Sequence, residues 1–272
     1  MAKKAQKNYD MMIGTTPVLI HAPHGSKEIP DLARGSLIIG DAEIESELLA
    51  MTDLHTDTLA DNLNAKNTDK VPFAFINRVS RLAVDPERFL DDREEMLSVG
   101  MGAVYTHGSR GQEIRQDNDI LRTRLVEKYF EPYEKSLAFF TKNILAIHQR
   151  VAIIDLHSYA ADPLPYEMNQ SMGRPGICLG TDSFHTPEWM LNQAKDIFET
   201  ADYSVAVNSP FTGTYVPAEF YGKDDSVISI MVEINRSLYM DEKTGKLRED
   251  GFLAIRTALE QLATALALPR PE

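Results

Sequence analysis

The chain has 272 residues, 43% of them hydrophobic and 25% charged, an ordinary balance for a chain that folds around a sizeable core. With 41 acidic against 28 basic side chains the formal charge is −13, which disfavours sequence-independent binding to nucleic acid or to an anionic membrane. Any anionic ligand must then be met by a local group of arginines. Cys178 is the single cysteine, which excludes an intrachain disulfide and a thiolate zinc site; no stretch approaches the ~20 apolar residues of a membrane helix, and a cytoplasmic setting is expected.

Residues 1–12 read as a loose arm that can dock on the body. In PVLIHAPHGS (17–26) a short apolar run stops at Pro23, His24 and Gly25, the pattern of a buried strand ending in a loop just beyond a sheet, where α/β proteins place their chemistry. His21 and His24 are three apart and fall on opposite faces of a strand, so His24 is the better functional candidate. Residues 41–65 read as a helix in two pieces broken near Thr52, with Asp41 or Asp53 as caps. Residues 71–76 form a strand. Residues 80–85 alternate like a short strand, Leu82 and Val84 on one face and Arg81, Ala83 and Asp85 on the other. A turn of helix follows over 94–102, a brief strand over 103–106 and a flexible, glycine-bearing surface loop over 107–115.

Residues 117–150 are helical, with Pro132 kinking or dividing them. VAIIDLHS (151–158) is a buried strand and 161–174 a loop. Next come a strand (176–181), a helix with Pro187 at its first position, a strand (204–208), a loop (211–225), the apolar strand VISIMVEIN (227–235) and a closing helix (247–268). Strands and helices interleave without repeat or linker. The expected fold is therefore α/β: one domain over 1–272, with a mixed, mostly parallel central sheet flanked by helices.

Asp155 and His157 share one face of their strand; Met231, Glu233 and Asn235 share the less apolar face of theirs. A carboxylate buried on such a face is raised in pKa, as a general base requires, unless it pairs with Arg236. TDLHTD supplies Asp53, His55 and Asp57, which read either as a solvated acidic face or as a source of metal ligands. With His24 and His157, Asp53 could complete a zinc site of two histidines and one carboxylate with an open fourth position; Glu28 is a rival third ligand. Arg78, Arg81 and Arg88 cluster in sequence and suit a small anionic substrate. HExxH, GxSxG, GxxxxGK[ST] and GxGxxG motifs are absent.

APHGSKEIP (22–30), TDLHTDTL (52–59), SRLAVDPERF (80–89), VYTHGSRGQ (104–112), IDLHSYA (154–160), PFTGTYVP (210–217) and SIMVEINRSLYMDE (229–242) together resemble the N-formylglutamate amidohydrolase family. That family is similar in fold to zinc carboxypeptidases and aspartoacylase-like deacylases. The resemblance implies a zinc amidohydrolase that converts N-formyl-L-glutamate to L-glutamate and formate in histidine degradation. It implies Zn²⁺ held by His24, Asp53 and His157, with Glu233 as base and Arg81 helping to hold the oxyanion. Arg88 would grip the substrate carboxylate, with Tyr215 and Asn235 also on the substrate side. Two departures, DPER for DxNR and PHGS for PHSG, bear on the substrate more than on the reaction class. The alternatives are a zinc deacylase or carboxypeptidase for other N-acyl amino acids or peptides, and an inactive ligand-binding homologue. The expected partner is a small, anionic, amino-acid-derived substrate, with no nucleic acid or membrane; the oligomeric state is open.

Overall fold

A strand covered on both faces needs apolar side chains at nearly every position, and four segments of this chain meet that demand. In the computed structural model, which describes residues 8–65 and 70–269, the strands are β1 (Tyr9–Met12), β2 (Val18–Ala22), β3 (Phe73–Asn77), β4 (Val151–Tyr159), β5 (Ile177–Gly180), β6 (Val205–Val207) and β7 (Val227–Asn235). β2, β3, β4 and β7 are buried throughout. The seven form one sheet of order β1-β3-β2-β4-β7-β5-β6, with β3, β2, β4 and β7 mutually parallel. β1 lies antiparallel on β3, and β5 antiparallel on β7. The mixed, mostly parallel sheet is the one expected from the sequence.

The helices are α1 (Asp31–Arg34), α2 (Asp41–Met51), α3 (Thr56–Asn64), α4 (Asp119–Leu125), α5 (Glu131–His148), α6 (Glu188–Thr200) and α7 (Glu249–Leu266). On one face of the sheet α3, α6 and α7 pack Leu59, Phe198 and Leu259 against Ile20, Ile154 and Ile230 along the strands' whole length. Each such buried side chain contributes roughly 1.5–3 kcal/mol. On the other face α5 packs Tyr133, Leu137 and Ile144 against Leu19, Ile153 and Val227. These belong to the first half of their strands; the second half of that face is left to other side chains. Among the described residues no helix is long and apolar enough to cross a membrane.

Several local expectations need correction. The arm over 1–12 does dock on the body, but Tyr9–Met12 is a sheet strand paired with β3 and not loose; residues 1–7 lie outside the described residues. The helix break near Thr52 is present, but neither aspartate is a cap: Gly40 caps α2 and His55, at φ 71°, precedes α3. Residues 80–85 are a tight turn rather than a strand, because Ala83 and Val84 both donate to Ser80 O (2.8 and 3.4 Å). Leu82, Ala83 and Val84 are all buried, so burial on both sides mimicked alternation. No strand forms over 103–106. The loop over 107–115 is pinned rather than free: buried Glu47 accepts from Ser109 N (2.7 Å), Ser109 Oγ (3.0 Å) and Gln112 Nε2 (2.6 Å). Arg115 is buried and donates to Leu82 O at 2.7 Å. Pro132 does divide its helix. A π turn over Val126–Phe130 joins α4 to α5 and places Pro132 in the first turn of α5, where its missing N–H costs least. Pro187 is the cap of α6 rather than its first residue.

Candidate active site

Along the face that α5 covers, each central strand changes character halfway. β2 passes from Leu19 to His21, β4 from Val151 and Ile153 to Asp155 and His157, and β7 from Val227 to Glu233. Because these strands are parallel, the ionisable residues gather at one end of the sheet. The register sets His21 beside Asp155 and His157 beside Glu233. His24 follows two residues beyond β2. Asp53 lies in the break between α2 and α3, and its backbone N–H donates to His24 O at 3.0 Å, tying the two segments together. The break turns the Asp53 side chain inward, while Asp57, on α3, pairs with Arg78 at 3.2 Å.

Three donor atoms converge. His24 Nδ1 and His157 Nδ1 are 3.3 Å apart, His157 Nδ1 is 3.2 Å from Asp53 Oδ2, and His24 Nδ1 is 3.8 Å from the same oxygen. Bonds of about 2.0–2.1 Å to a tetrahedral cation put neighbouring ligands ~3.3 Å apart, so this triangle fits the open face of a zinc-type site. Each ligand is also held from behind. His24 Nε2 meets Asp85 Oδ1 at 2.8 Å, His157 Nε2 lies 3.1 Å from Asp155 Oδ1, and Arg236 Nη2 donates to Asp53 Oδ1 at 3.0 Å. With His24 Nε2–H donated to Asp85 and His157 Nε2 facing the side of Asp155 and Glu87, the two Nδ1 atoms face the common space, as metal-binding histidines require. The group His24, Asp53 and His157 is buried, and it is one of two sets of possible metal ligands among the described residues.

The electrostatics agree. Burial would raise the Asp53 pKa, but His157, Arg236, His24 and Arg81 overcome it and hold the carboxyl at about 2. Burial likewise disfavours the His157 cation, yet Glu87 and Asp155 outweigh it and raise that imidazole well above its ordinary value. Glu233 goes the other way. Burial, with Asp53 adding to it, pushes its carboxyl up to about 8 against the opposing pull of His157, Arg236 and Arg81. Its Oε2 is buried without a hydrogen-bond partner, and the ion pair with Arg236 is not made, because that guanidinium serves Asp53, Ala50 O and Ser158.

The Glu233 shift has a measurable consequence for the protein stripped of metal. Between about pH 4.5 and about pH 8 the folded state keeps a proton on Glu233 that the unfolded chain has released, so this group's stabilisation is lost as pH rises through that window. Glu233→Gln should therefore gain stability relative to wild type as pH rises from about 5.5 to about 7.5, read by urea unfolding. A stability difference that does not change with pH would contradict the raised value.

The remaining candidates divide. Arg81 donates to Asp85 Oδ2 (2.8 Å) and Tyr105 Oη (3.0 Å), and its Nη1 lies 3.9 Å from Asp53 Oδ1. Arg88, a quarter exposed, lies 3.4 Å from Asp85 and 3.5 Å from Glu94, and its Nε is buried without a hydrogen bond. Tyr215 sits with its ring centroid 4.9 Å from that of His21, and its backbone N–H donates to Asp155 Oδ2 at 2.9 Å. Asn235 is engaged locally, accepting from Ser237 N (3.1 Å) and Oγ (2.7 Å) and donating to Pro175 O (3.3 Å). Glu28 is exposed and outside the group, which removes it as the third ligand. Arg78 also leaves the cluster, paired with Asp10, Asp57 and Asp61. His21 was set aside on strand alternation, yet β2 ends at Ala22 and the chain turns, so His21 and His24 both approach Glu87, at 3.5 and 3.7 Å. Sequence reasoning missed Asp85 and Arg236 as supports; the four-residue spacing of Arg81 and Asp85 was the signal available for the first.

The sequence profile of the N-formylglutamate amidohydrolase family matches residues 16–240. No curated protein sequence matches the chain significantly. The crystal structure of an N-formylglutamate amidohydrolase from Ralstonia eutropha JMP134 superposes with a TM-score of 0.80 at 20% identity, covering 96% of this chain and 97% of the other. A gene product from Agrobacterium tumefaciens superposes with a TM-score of 0.72 at 17% identity, covering 96% and 94%. At such identities the two superpositions speak to the fold. The profile match takes in β2 to β7 and every residue of the converging group, and on that ground the chain belongs to the N-formylglutamate amidohydrolase family.

Proposed function

We propose that the protein hydrolyses N-formyl-L-glutamate to L-glutamate and formate, using a zinc ion held by His24 Nδ1, His157 Nδ1 and Asp53 Oδ2. The observation that carries this reading is the convergence of those three atoms beside the unpartnered Oε2 of Glu233. Zinc bound there would supply Lewis acidity, lowering the pKa of water and polarising the amide carbonyl.

Glu233 takes a proton from the attacking water as the water oxygen bonds to the formyl carbon. It returns that proton to the amide nitrogen as the C–N bond breaks, so the carboxyl ends as it began. A pKa of about 8 in the metal-free site gives Glu233 appreciable basicity, and a nearby cation favours its ionised form. Arg81, fixed by Asp85 and Tyr105, has an N–H edge toward Asp53 and can donate to the oxyanion that forms at the carbonyl. Arg88, whose Nε makes no hydrogen bond and whose side chain is partly exposed, suits the substrate's carboxylate. Tyr215 supports the site through its backbone hold on Asp155. Asn235, already occupied by Ser237 and Pro175, serves the wall of the site rather than the substrate. The one cysteine, Cys178, is buried and free, in keeping with a cytoplasmic enzyme.

A substrate panel on zinc-loaded protein tests the reading: N-formyl-L-glutamate, N-acetyl-L-glutamate and short peptides, with formate and free amine measured. The expected kcat/KM is highest for N-formyl-L-glutamate and about tenfold or more lower for the acetyl compound, which carries one more methyl group. Faster turnover of acetylated amino acids or peptides would favour the broader deacylase. No turnover of any of them by protein that holds zinc would favour an inactive binding homologue.

A further inference from the structure

Behind His157 lies a second group of ligating atoms. His21 Nδ1 is 2.9 Å from Asp155 Oδ1 and 3.5 Å from Glu87 Oε1, and the three atoms all lie within 4.8 Å of one another. His21 and Asp155 are buried; the Glu87 side chain, 14% exposed, connects the group to solvent. Both buried members are fixed from outside. His21 Nε2 is 2.6 Å from Tyr133 Oη, and Asp155 Oδ2 accepts the Tyr215 N–H at 2.9 Å. His21 Nδ1 donates to Asp155 Oδ1 while Nε2 accepts from the Tyr133 hydroxyl, so a cation bound here takes the place of the Nδ1 proton. Glu87 Oε1 is buried and has no hydrogen-bond partner, although its residue reaches three imidazoles.

Charge points the same way. Asp85 is matched by Arg81 and Arg88, and Asp53 by Arg236. Glu87 and Asp155 have no such partner: among the described residues their ion pairs are with imidazoles alone. His24 and His157 are neutral when their Nδ1 atoms serve as ligands, a step that rests on the catalytic reading above. The catalytic ion then lies beyond the His157 ring, and no cation stands between the two carboxylates themselves.

We propose that His21 Nδ1, Glu87 Oε1 and Asp155 Oδ1 form a second divalent-cation site, separated from the catalytic one by the His157 ring. One imidazole nitrogen and two carboxylate oxygens suit a borderline cation such as Zn²⁺ or Mn²⁺. A cation there gives Glu87 Oε1 its partner and balances the two carboxylates. It also immobilises Asp155, whose Oδ1 lies 3.1 Å from His157 Nε2.

The test is a zinc count on the full-length chain, stripped with chelator, reloaded with zinc chloride and separated from excess in high salt. Wild type should retain two equivalents, and Glu87→Gln and His21→Gln one each, while His24→Ala, which removes a catalytic ligand, keeps the second ion. One equivalent in wild type, unchanged in Glu87→Gln and His21→Gln, overturns the proposal and leaves the catalytic site standing. Two equivalents that persist in both variants also overturn it, placing the second ion elsewhere on the acidic surface. A single ion lost in Glu87→Gln but kept in His24→Ala supports the second site and refutes the catalytic one.

Discussion

Replacing Glu233 by glutamine is expected to leave the protein folded and able to bind zinc, and to lower kcat on N-formyl-L-glutamate by about 10²–10⁴-fold. The amide matches the carboxyl in size and cannot take up the water's proton at neutral pH. Glu233 Oε2 has no hydrogen bond to lose, and Arg236 spends its donors on Asp53, Ala50 and Ser158, so the substitution breaks no ion pair among the described residues. KM should change little, because the substrate carboxylate is assigned to Arg88. The measurement is steady-state kinetics with zinc content determined on the same sample. Near-normal kcat in zinc-loaded Glu233→Gln would remove Glu233 from the chemistry. Loss of zinc together with activity would instead make it a structural support of the metal.

His157→Ala should fail differently, by losing the catalytic ion. Outer partners of metal-bound histidines are typically worth about 10–100-fold in affinity, and removing a ligand itself exceeds that. His157 is also the ring that keeps four acidic side chains apart: Asp53 at 3.2 Å on one side, Asp155 at 3.1 Å and Glu87 at 3.3 Å on the other, and Glu233 beside it in the register. Alanine leaves those carboxyls facing one another, so the metal-free variant should also be less stable, by roughly 3–5 kcal/mol if breaking a buried charge pair is the guide. Chelator competition reads the affinity and urea unfolding the stability. Unaltered zinc affinity in a folded His157→Ala protein would place the ion elsewhere.

What could be read from the sequence follows from where side chains end up. β2, β4 and β7 were legible because parallel strands buried on both faces are almost continuously apolar, so a histidine or glutamate within them stands out. Alternation then placed Asp155 with His157 and isolated Glu233 from the isoleucines. Asp53 was legible as a residue but not as a geometry. Its direction depends on the left-handed backbone at His55 and the bond to His24 O, and neither leaves a periodic trace. Alternation failed over residues 80–85, where a turn buries both sides and brings Arg81 to Asp85. It also misjudged His21, because the argument assumed a strand that in fact stops at Ala22. The supports contributed by Asp85 and Arg236 are contacts between distant segments, visible only once the sheet has brought them together.

The most direct measurement is an anomalous difference map from a crystal of the zinc-loaded protein, collected on either side of the zinc edge. A peak about 2 Å from His24 Nδ1, His157 Nδ1 and Asp53 Oδ2, with Glu233 alongside, is the expected result. Imidazoles turned away from one another, with no anomalous density between them in crystals that contain zinc, would contradict it.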